Sequence, residues 1–350
     1  MDKFIKNREC NQEEIRQKKT VLDSYMQSLI VTLSSRCNLD CIMCEVRRSK
    51  WDIPEKTLHE VIELFPYLER IIWQGGEPFL LPYFSDIFDK AAKFKNLKQT
   101  IVTNGLLITE EWAEKLARNF VELTFSIDGL NQEVYERIRE RASFSQLMKG
   151  VAIMRASRRK FNFPGMSLRL HTVIMRSNYR DIEGFIEFAH ENGFDAIHFI
   201  AMLGNQSPQE NIFYPEDREA LDFLEGIRQH LDAKAKSYGI ELLNALPRRK
   251  RQECNGCPPD SGKEEVSLPQ EMVLDCLMPW QQLNIDPGGE VRPGCLCLKS
   301  VGSVFTQSLK ELWNSPRTQE YRRKLLDRDV VSICQTNCLS VQQQESRKKK

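Results

Sequence analysis

The sequence predicts an α/β fold built on a parallel sheet, and two features of the chain carry this prediction. From about residue 28 to residue 204, six apolar, strand-like runs alternate with segments whose apolar residues recur at helical spacing. Because a helical segment separates each strand from the next, consecutive strands would run parallel with right-handed crossovers. The predicted strands are Leu29–Leu33, Arg70–Trp73, Gln99–Val102, Val121–Ser126, Ser167–Ile174 and Ala196–Ala201.

Composition narrows the class of protein. The 50 Lys and Arg residues balance the 49 Asp and Glu residues, which favours neither nucleic acid nor a membrane as a partner. No apolar run approaches the ~18 residues of a transmembrane helix. The polar N-terminus lacks the apolar region of a signal peptide, so we expect a cytoplasmic protein. In that reducing compartment, eleven cysteines in closely spaced groups indicate metal sites rather than disulfides.

Three cysteines, Cys37, Cys41 and Cys44, follow the first predicted strand at the spacing C-x3-C-x2-C. A loop this short can wrap three thiolates around one iron–sulfur cluster. Since cluster ligation ordinarily takes four thiolates, one iron would stay open to a small molecule. A zinc site is an alternative, but it needs a fourth ligand nearby, and no histidine lies between Cys37 and His59. Buried, inert thiols are the other alternative.

The segment Cys-Asn-Leu-Asp-Cys-Ile-Met-Cys, residues 37–44, resembles the signature of the radical S-adenosylmethionine (radical SAM) superfamily. The resemblance implies a partial (β/α)6 TIM-like barrel with a 4Fe–4S cluster on Cys37, Cys41 and Cys44. It also implies that S-adenosylmethionine (SAM) binds the open iron and is cleaved to a 5′-deoxyadenosyl radical, which is chemistry of the cofactor rather than of side chains. The site would lie at the carboxyl ends of the strands.

The loop after the second predicted strand contains Gly75, Gly76 and Glu77 in the segment Gly-Gly-Glu-Pro. Glycines let the backbone approach a ligand closely. The segment resembles the family's loop that holds the methionyl ammonium of SAM, with Glu77 as the nearby charge. Without the resemblance, it is an ordinary turn between a strand and a helix.

Four more candidates for SAM contact lie at later strand ends: Asn104, Ser126, Asp128 and Met202. Ser126 and Asp128 lie on one side of an extended chain and suit ribose hydroxyls or the methionyl carboxylate. The resemblance implies that Met202 packs against adenine. Each has a structural alternative. Asn104 suits a turn and Met202 suits the core, whereas Asp128 suits the cap of a helix that begins near Asn131.

Strand five carries two polar residues, Arg169 and His171, within an apolar run. Burying such groups without partners is costly. His171 is therefore the best single candidate for a catalytic, substrate-facing group, and a hydrogen-bonded core histidine is the equally weighted alternative.

The chain divides into five regions. Residues 1–27 are predicted to be a helical lead-in, and residues 28–247 form the barrel, ending with a helix over 215–238 and a short strand within Ile240–Leu246. Residues 248–272 form a polar linker that contains Cys254 and Cys257 at C-x2-C spacing. Residues 273–340 form a second cysteine module, and residues 341–350 are a disordered tail.

In the second module, two alternating runs flank the turn Pro287-Gly288-Gly289, which predicts a β-hairpin. One helix follows, with its buried stripe on Leu309, Leu312, Trp313, Tyr321 and Leu325. This order resembles the auxiliary-cluster domain called SPASM or its shortened form, twitch, although the middle cysteine block of the full pattern is absent. The resemblance implies one auxiliary 4Fe–4S cluster bound by Cys276, Cys295, Cys334 and Cys338, with Cys297 as the alternative to Cys295.

These inferences together predict a radical SAM oxidoreductase that receives electrons from a flavodoxin-type or ferredoxin-type donor. The leading prediction is oxidation, crosslinking or other maturation of a peptide or protein substrate. The alternative is a dehydrogenase or epimerase acting on a sugar, an aminocyclitol or another small molecule. A non-enzymatic metal-binding interaction protein is the alternative from another class, but it leaves Gly75, Gly76 and the six strand–helix units unexplained.

Overall fold

The computed structural model describes residues 2–46, 49–204, 206–247, 276–294, 297–330 and 332–334. The strands are β1 (Ser28–Thr32), β2 (Arg70–Gln74), β3 (Lys98–Thr103), β4 (Val121–Ser126), β5 (Met166–Ile174), β6 (Ala196–Ala201), β7 (Glu241–Asn244), β8 (Gln282–Ile285), β9 (Glu290–Arg292) and β10 (Gly302–Ser303). The helices are α1 (Lys3–Arg16), α2 (Glu55–Leu64), α3 (Phe84–Ala92), α4 (Glu110–Ala117), α5 (Gln132–Ile138), α6 (Phe144–Phe161), α7 (Ile182–Glu191), α8 (Arg218–Ser237), α9 (Met278–Gln281), α10 (Leu309–Trp313) and α11 (Pro316–Leu326). Short 3-10 turns cover Pro78–Leu80 and Tyr179–Asp181.

A single mixed sheet organises the molecule, with strand order β10-β9-β8-β1-β2-β3-β4-β5-β6-β7. Strands β1 to β7 run parallel to one another, each beside the next in sequence. The six predicted strands are confirmed as β1 to β6, and the short strand expected within Ile240–Leu246 is confirmed as β7. The sheet has two ends and is therefore an open, partial barrel, as predicted.

The two faces of the barrel strands differ in burial. On β5, Leu168, Leu170 and Ile174 are buried in the main hydrophobic core, while Arg169 and His171 between them are only half-buried. Successive side chains of a strand point to opposite faces. Arg169 and His171 therefore line the barrel interior, whereas Leu168, Leu170 and Ile174 pack into the core.

The predicted hairpin is confirmed, and its position in the sheet is an additional finding. Strands β8 and β9 pair antiparallel, and β8 also pairs parallel with β1, with Ser28 opposite Gln282 and Val31 opposite Ile285. The second cysteine module therefore extends the barrel sheet from the edge of β1. This pairing also leaves β1 with a neighbour on both sides, which removes an exposed strand edge.

The prediction of a single helix after the hairpin is wrong, because the structure has two helices there, α10 and α11. The break falls at Ser315, which caps α11 by accepting a hydrogen bond from the Thr318 N–H, and at Pro316, the first residue of α11. Proline cannot continue a helix because it lacks an N–H and clashes with the preceding turn. The predicted apolar stripe is nevertheless fully buried, at Leu309, Leu312, Trp313, Tyr321 and Leu325.

The predicted N-terminal lead-in is helical over α1 only and is irregular from there to β1. Its buried face is polar: Asn11 donates to the Trp280 carbonyl at 2.7 Å and to the Ser24 hydroxyl at 3.0 Å. Glu14 accepts hydrogen bonds from the Ser24 hydroxyl at 2.5 Å and the Asp23 N–H at 2.6 Å. Helix α1 thus connects the barrel to the second cysteine module.

Several predictions fall on residues outside the described ranges. These are the linker 248–272 with Cys254 and Cys257, two predicted cluster ligands, Cys295 and Cys338, and the tail 341–350. Across the described ranges, no helix is both long enough and apolar enough to span a bilayer.

Candidate cluster and cofactor site

The loop after β1 carries Cys37, Cys41 and Cys44 at the carboxyl edge of the sheet, as predicted. Cys41 is buried, while Cys37 and Cys44 are half-buried. Burial raises the pKa of Cys41 to about 11, although Arg139 opposes the shift, and the other two thiols raise it further. Burial likewise raises the pKa of Cys37, and Cys44 adds to that shift. The three sulfurs therefore lie near enough to one another for their charges to interact.

The Gly75-Gly76 segment packs directly on the cysteine loop. The N–H of Gly76 donates to the Ser34 carbonyl at 2.6 Å, and the N–H of Glu77 donates to the Arg36 carbonyl at 2.9 Å. A Cβ on Gly76 would lie 2.0 Å from the Arg36 carbonyl oxygen. Gly75 has φ +139°, a backbone conformation that residues other than glycine rarely adopt. Both glycines are therefore required by the backbone contact that shapes the cysteine loop.

Glu77 is fully buried and is held by three hydrogen-bond donors. Its carboxylate accepts from the Thr103 hydroxyl at 2.8 Å, the Asn104 N–H at 2.8 Å and the Phe79 N–H at 3.2 Å. Burial raises the pKa of Glu77 to about 7 despite these donors. The carboxyl group ties the end of β3 to the glycine loop.

Asn104 contacts the cysteine loop from the end of β3. Its Nδ2 donates to Asn38 Oδ1 at 2.8 Å and lies 3.8 Å from Cys37 Sγ. Its Oδ1 accepts from the Leu106 N–H at 3.0 Å, which fixes the turn. Asn104 is therefore both the turn residue and a neighbour of a predicted cluster ligand.

Ser126 and Asp128 have different surroundings, although they are only two residues apart. Ser126 is half-buried at the carboxyl end of β4 and lies opposite His171 in the sheet register. Asp128 is fully buried, pairs with the Arg139 guanidinium at 2.6 Å, and accepts from the Val173 N–H at 2.8 Å. The alternative that Asp128 caps the following helix is wrong, because Asn131 is the cap of α5.

Met202 belongs to a small buried cluster with Ile138 and Met175. Ile42 and Met43, which lie within the cysteine loop, pack against this cluster. Met202 thus lies beside the predicted cofactor site, in an apolar environment.

His171 has a partner that the sequence analysis missed, His198 on the neighbouring strand β6. His171 Nε2 lies 2.5 Å from His198 Nδ1, and the sheet register places the two residues directly opposite each other. Burial lowers the pKa of His171 to about 3 and that of His198 to about 4, so the pair is neutral at pH 7. Both side chains are half-buried on the barrel interior.

The second module brings Cys297 and Cys334 together as the two members of an isolated antiparallel bridge. Both cysteines are buried. Burial raises the pKa of Tyr321 to about 12, and the charges of Cys297 and Cys334 contribute to the same shift. Cys276 Sγ accepts from the Met278 N–H at 3.4 Å. A Cβ on Gly294 would contact both Cys297 Sγ and Met278 at 3.5 Å, so these two chain segments converge. The structure therefore places Cys297 in this cysteine group.

The donor set fits iron–sulfur clusters. Each cysteine group offers soft sulfur ligands, which iron–sulfur clusters use. Within the described ranges, no three His, Cys, Asp or Glu side chains converge on a single metal ion, so the fit rests on donor chemistry and on the mutual approach of the thiols. A partial barrel with such a loop at its strand ends defines a class: enzymes that hold an open-coordination cluster beside a nucleoside cofactor.

Comparison with known proteins gives the family. A family profile described as the radical SAM superfamily matches residues 31–189, and one described as an iron–sulfur cluster-binding domain, SPASM, matches residues 276–339. The chain belongs to the radical SAM superfamily and carries a SPASM domain, so its cofactors are 4Fe–4S clusters and SAM. It is an enzyme, which excludes the non-enzymatic alternative.

Three curated relatives cover most of the chain. It is 25% identical to the antilisterial bacteriocin subtilosin biosynthesis protein AlbA of Bacillus subtilis, over 81% of this chain but only 58% of that protein. It is 29% identical to the AdoMet-dependent heme synthase of Methanosarcina barkeri, over 84% and 83% of the two chains. It is 26% identical to the cysteine-type anaerobic sulfatase-maturating enzyme of Clostridium novyi, over 89% and 87%.

The fold also matches solved structures. Streptococcus suis SuiB superposes with a TM-score of 0.64 at 17% identity, covering 91% of this chain and 72% of that chain. At this identity, the likeness establishes the shared fold.

Proposed function

We propose that this chain is a SPASM-type radical SAM maturase that oxidises or crosslinks a peptide or protein substrate. The observation that carries the proposal is the joining of two cysteine groups in one sheet through the pairing of β1 with β8. When bound, the first cluster and SAM supply a deoxyadenosyl radical that takes a hydrogen atom from the substrate, and the auxiliary cluster supplies an acceptor for one electron. The names of AlbA and the sulfatase-maturating enzyme favour a peptide or protein substrate.

The cysteines divide between the two clusters by position in the fold. Cys37, Cys41 and Cys44 would hold the first cluster and leave one iron open. Cys276, Cys297 and Cys334 would hold the auxiliary cluster together with Cys338. Cys297 replaces Cys295 in this assignment because, among the residues that the structure describes, it pairs with Cys334 in an isolated bridge.

Around the first cluster, the chain supplies shape and exclusion of water rather than a nucleophile. The backbone of Gly75 and Gly76 would border the methionyl part of SAM, and Glu77 holds that loop against β3. In the part of the chain that the structure describes, Ser126 makes no hydrogen bond through its hydroxyl, which leaves it available to a ribose or carboxylate oxygen. Asn104 would support the cluster at Cys37, the ligand whose sulfur its amide nitrogen contacts. Met202 would pack against the adenine of SAM.

The substrate would enter the barrel interior beside His171 and His198. This pair lies in the same register row as Ser126, so a group bound there would lie next to the nucleoside. Because both imidazoles are neutral, the pair offers hydrogen bonds without charge, which suits amide or hydroxyl groups. A flavodoxin-type or ferredoxin-type protein would supply electrons to the first cluster.

A small-molecule substrate is the second candidate, because the heme synthase relative matches similar shares of both chains. The two candidates differ in what stimulates SAM cleavage. The test is anaerobic incubation of the protein with SAM and dithionite, with and without candidate peptides taken from short reading frames next to its gene, followed by mass spectrometry. We expect peptide-dependent release of 5′-deoxyadenosine and a peptide mass lower by two hydrogen atoms, with neither in the Cys41→Ala protein. Release of 5′-deoxyadenosine with an unchanged peptide would refute the peptide assignment.

A further inference from the structure

Arg139, the residue that ends α5, contacts the loop of the first cluster from inside the protein. The side chain is buried, and its Nη1 lies 3.8 Å from Cys41 Sγ as a hydrogen-bond donor. No other described cation makes a hydrogen bond to one of the three loop sulfurs. A cluster on Cys41 would therefore have a guanidinium next to one of its sulfur ligands.

Backbone pairing fixes this contact. The N–H of Asp40 donates to the Glu140 carbonyl at 3.0 Å, and the N–H of Ile42 donates to the Ile138 carbonyl at 3.0 Å. These two bonds flank Cys41 on one segment and Arg139 on the other, so the two residues face each other across a short antiparallel pairing. The proximity of guanidinium and sulfur is thus set by main chain as well as by side-chain rotamer.

A buried carboxylate holds the guanidinium in place. Nη2 of Arg139 lies 2.6 Å from Asp128 Oδ2, and Asp128 Oδ1 accepts from the Val173 N–H at 2.8 Å. Asn178 Nδ2 donates to the Asp128 carbonyl at 3.0 Å. The carboxylate is therefore anchored to β5, the Asp128 backbone is held by Asn178, and the ion pair orients Nη1 toward the sulfur.

We propose that Arg139 tunes the first cluster: its hydrogen bond to the Cys41 sulfur raises the reduction potential of that cluster. The inference rests on the proposed function in requiring Cys41 to bind a cluster. One-electron reduction moves one electron from the donor to the cluster, with no bond made and no proton moved. The added negative charge is stabilised by a donor to a ligand sulfur and by a buried cation, and both interactions are strong where water is excluded.

The test compares midpoint potentials from EPR spectra of the first cluster, recorded at a series of applied potentials. The Arg139→Gln variant removes the cation, and the Asp128→Asn/Arg139→Gln variant removes both charges so that no carboxylate is left buried alone. Arg139→Lys keeps the charge but shortens the donor. The matched control is Arg141→Gln, because Arg141 is exposed and lies 3.5 Å from the Asp40 carboxylate rather than beside a sulfur.

We expect a midpoint more negative than that of the wild type in Arg139→Gln, a smaller shift of the same sign in the double variant and in Arg139→Lys, and none in Arg141→Gln. Unchanged midpoints in iron-replete variants would overturn the proposal. Loss of iron from all three Arg139 variants would also overturn it, since the residue would then serve to fold the loop. An iron-free wild-type protein would instead refute the cluster assignment, so the two failures are distinguishable.

Discussion

Gly76 lies so close to Arg36 that a Cβ on the glycine would be 2.0 Å from the Arg36 carbonyl oxygen. Real Cβ atoms do not approach backbone oxygens at this distance, so any side chain at position 76 must displace the start of the cysteine loop. The glycine segment after β2 and the start of the cysteine loop after β1 are therefore one structural unit.

The Gly76→Ala variant tests this unit. We expect loss of the first cluster, with iron content falling by about four per chain, and loss of SAM cleavage under dithionite. Gly226→Ala is the matched control, because Gly226 lies in α8 with nothing within 4 Å of the added carbon. The control is expected to keep both clusters and to be more stable by up to about 1 kcal/mol, since alanine is the better helix former. Full iron content in Gly76→Ala would contradict the close packing.

The ligand choice in the SPASM domain is tested by two serine variants. Cys297→Ser is expected to lose the auxiliary cluster, which would lower iron content by about four per chain, because Cys297 lies beside Cys334 in the bridge. Cys295→Ser is the matched control and is expected to keep it. The measurements are iron and sulfide analysis together with EPR of the reduced protein. The reverse pattern would assign the cluster to Cys295.

The histidine pair predicts acid sensitivity. Burial lowers the pKa of His171 to about 3 and that of His198 to about 4, both below the value of about 6.5 in the unfolded chain. Protonation then favours the unfolded state, so stability that is complete above pH 6.5 is lost as the pH falls toward these lowered values. At pH 5.5 the expected loss is on the order of 1 kcal/mol for each histidine.

Thermal unfolding at pH 7.5 and at pH 5.5 measures this effect in the anaerobic holoprotein. We expect the melting temperature of wild type to fall more between the two pH values than that of His171→Asn/His198→Asn. The exposed His59→Asn is the control and is expected to keep the wild-type dependence. Identical pH dependence in all three proteins would show that the pair does not stay neutral on folding.

Asn11 predicts a stability contribution from the contact between α1 and the SPASM domain. Asn11→Ala removes the donor to the Trp280 carbonyl at 2.7 Å and leaves that buried oxygen without it. The expected cost is about 1–3 kcal/mol of unfolding free energy, measured by denaturant unfolding. Asn96→Ala is the control, since Asn96 is exposed and donates only to Asp2 at 3.0 Å. Equal stability of the two variants would contradict the role given to α1.

The fold was predictable to the extent that local pattern determines it. The strands β1 to β6 follow apolar runs bounded by turn residues, and their observed limits differ from the predicted ones by about one residue. The pairing of β8 with β1 was not predictable, because it joins segments about 250 residues apart and no local signal selects that edge. The break between α10 and α11 had a signal in the sequence, Ser315 followed by Pro316, which the apolar stripe obscured.

The site was predictable where residue types repeat a recognisable spacing. The glycine segment packs on the cysteine loop, as the resemblance implied, through the N–H groups of Gly76 and Glu77. His198 was missed because it is one polar residue in an apolar strand, and only the sheet register sets it opposite His171. Arg139 was missed because it lies between Arg137 and Arg141 in a run that is typical of an exposed helix end, whereas the structure buries it against Asp128.

The central claim is that one iron of the first cluster, bound through Cys37, Cys41 and Cys44, is left open for SAM. The most direct measurement is EPR of the dithionite-reduced, iron-replete protein with and without SAM. The account predicts that SAM changes the spectrum of the first cluster in the wild-type protein and has no such effect in Cys41→Ala. A wild-type spectrum that SAM leaves unchanged, in protein with about eight irons per chain, would contradict it.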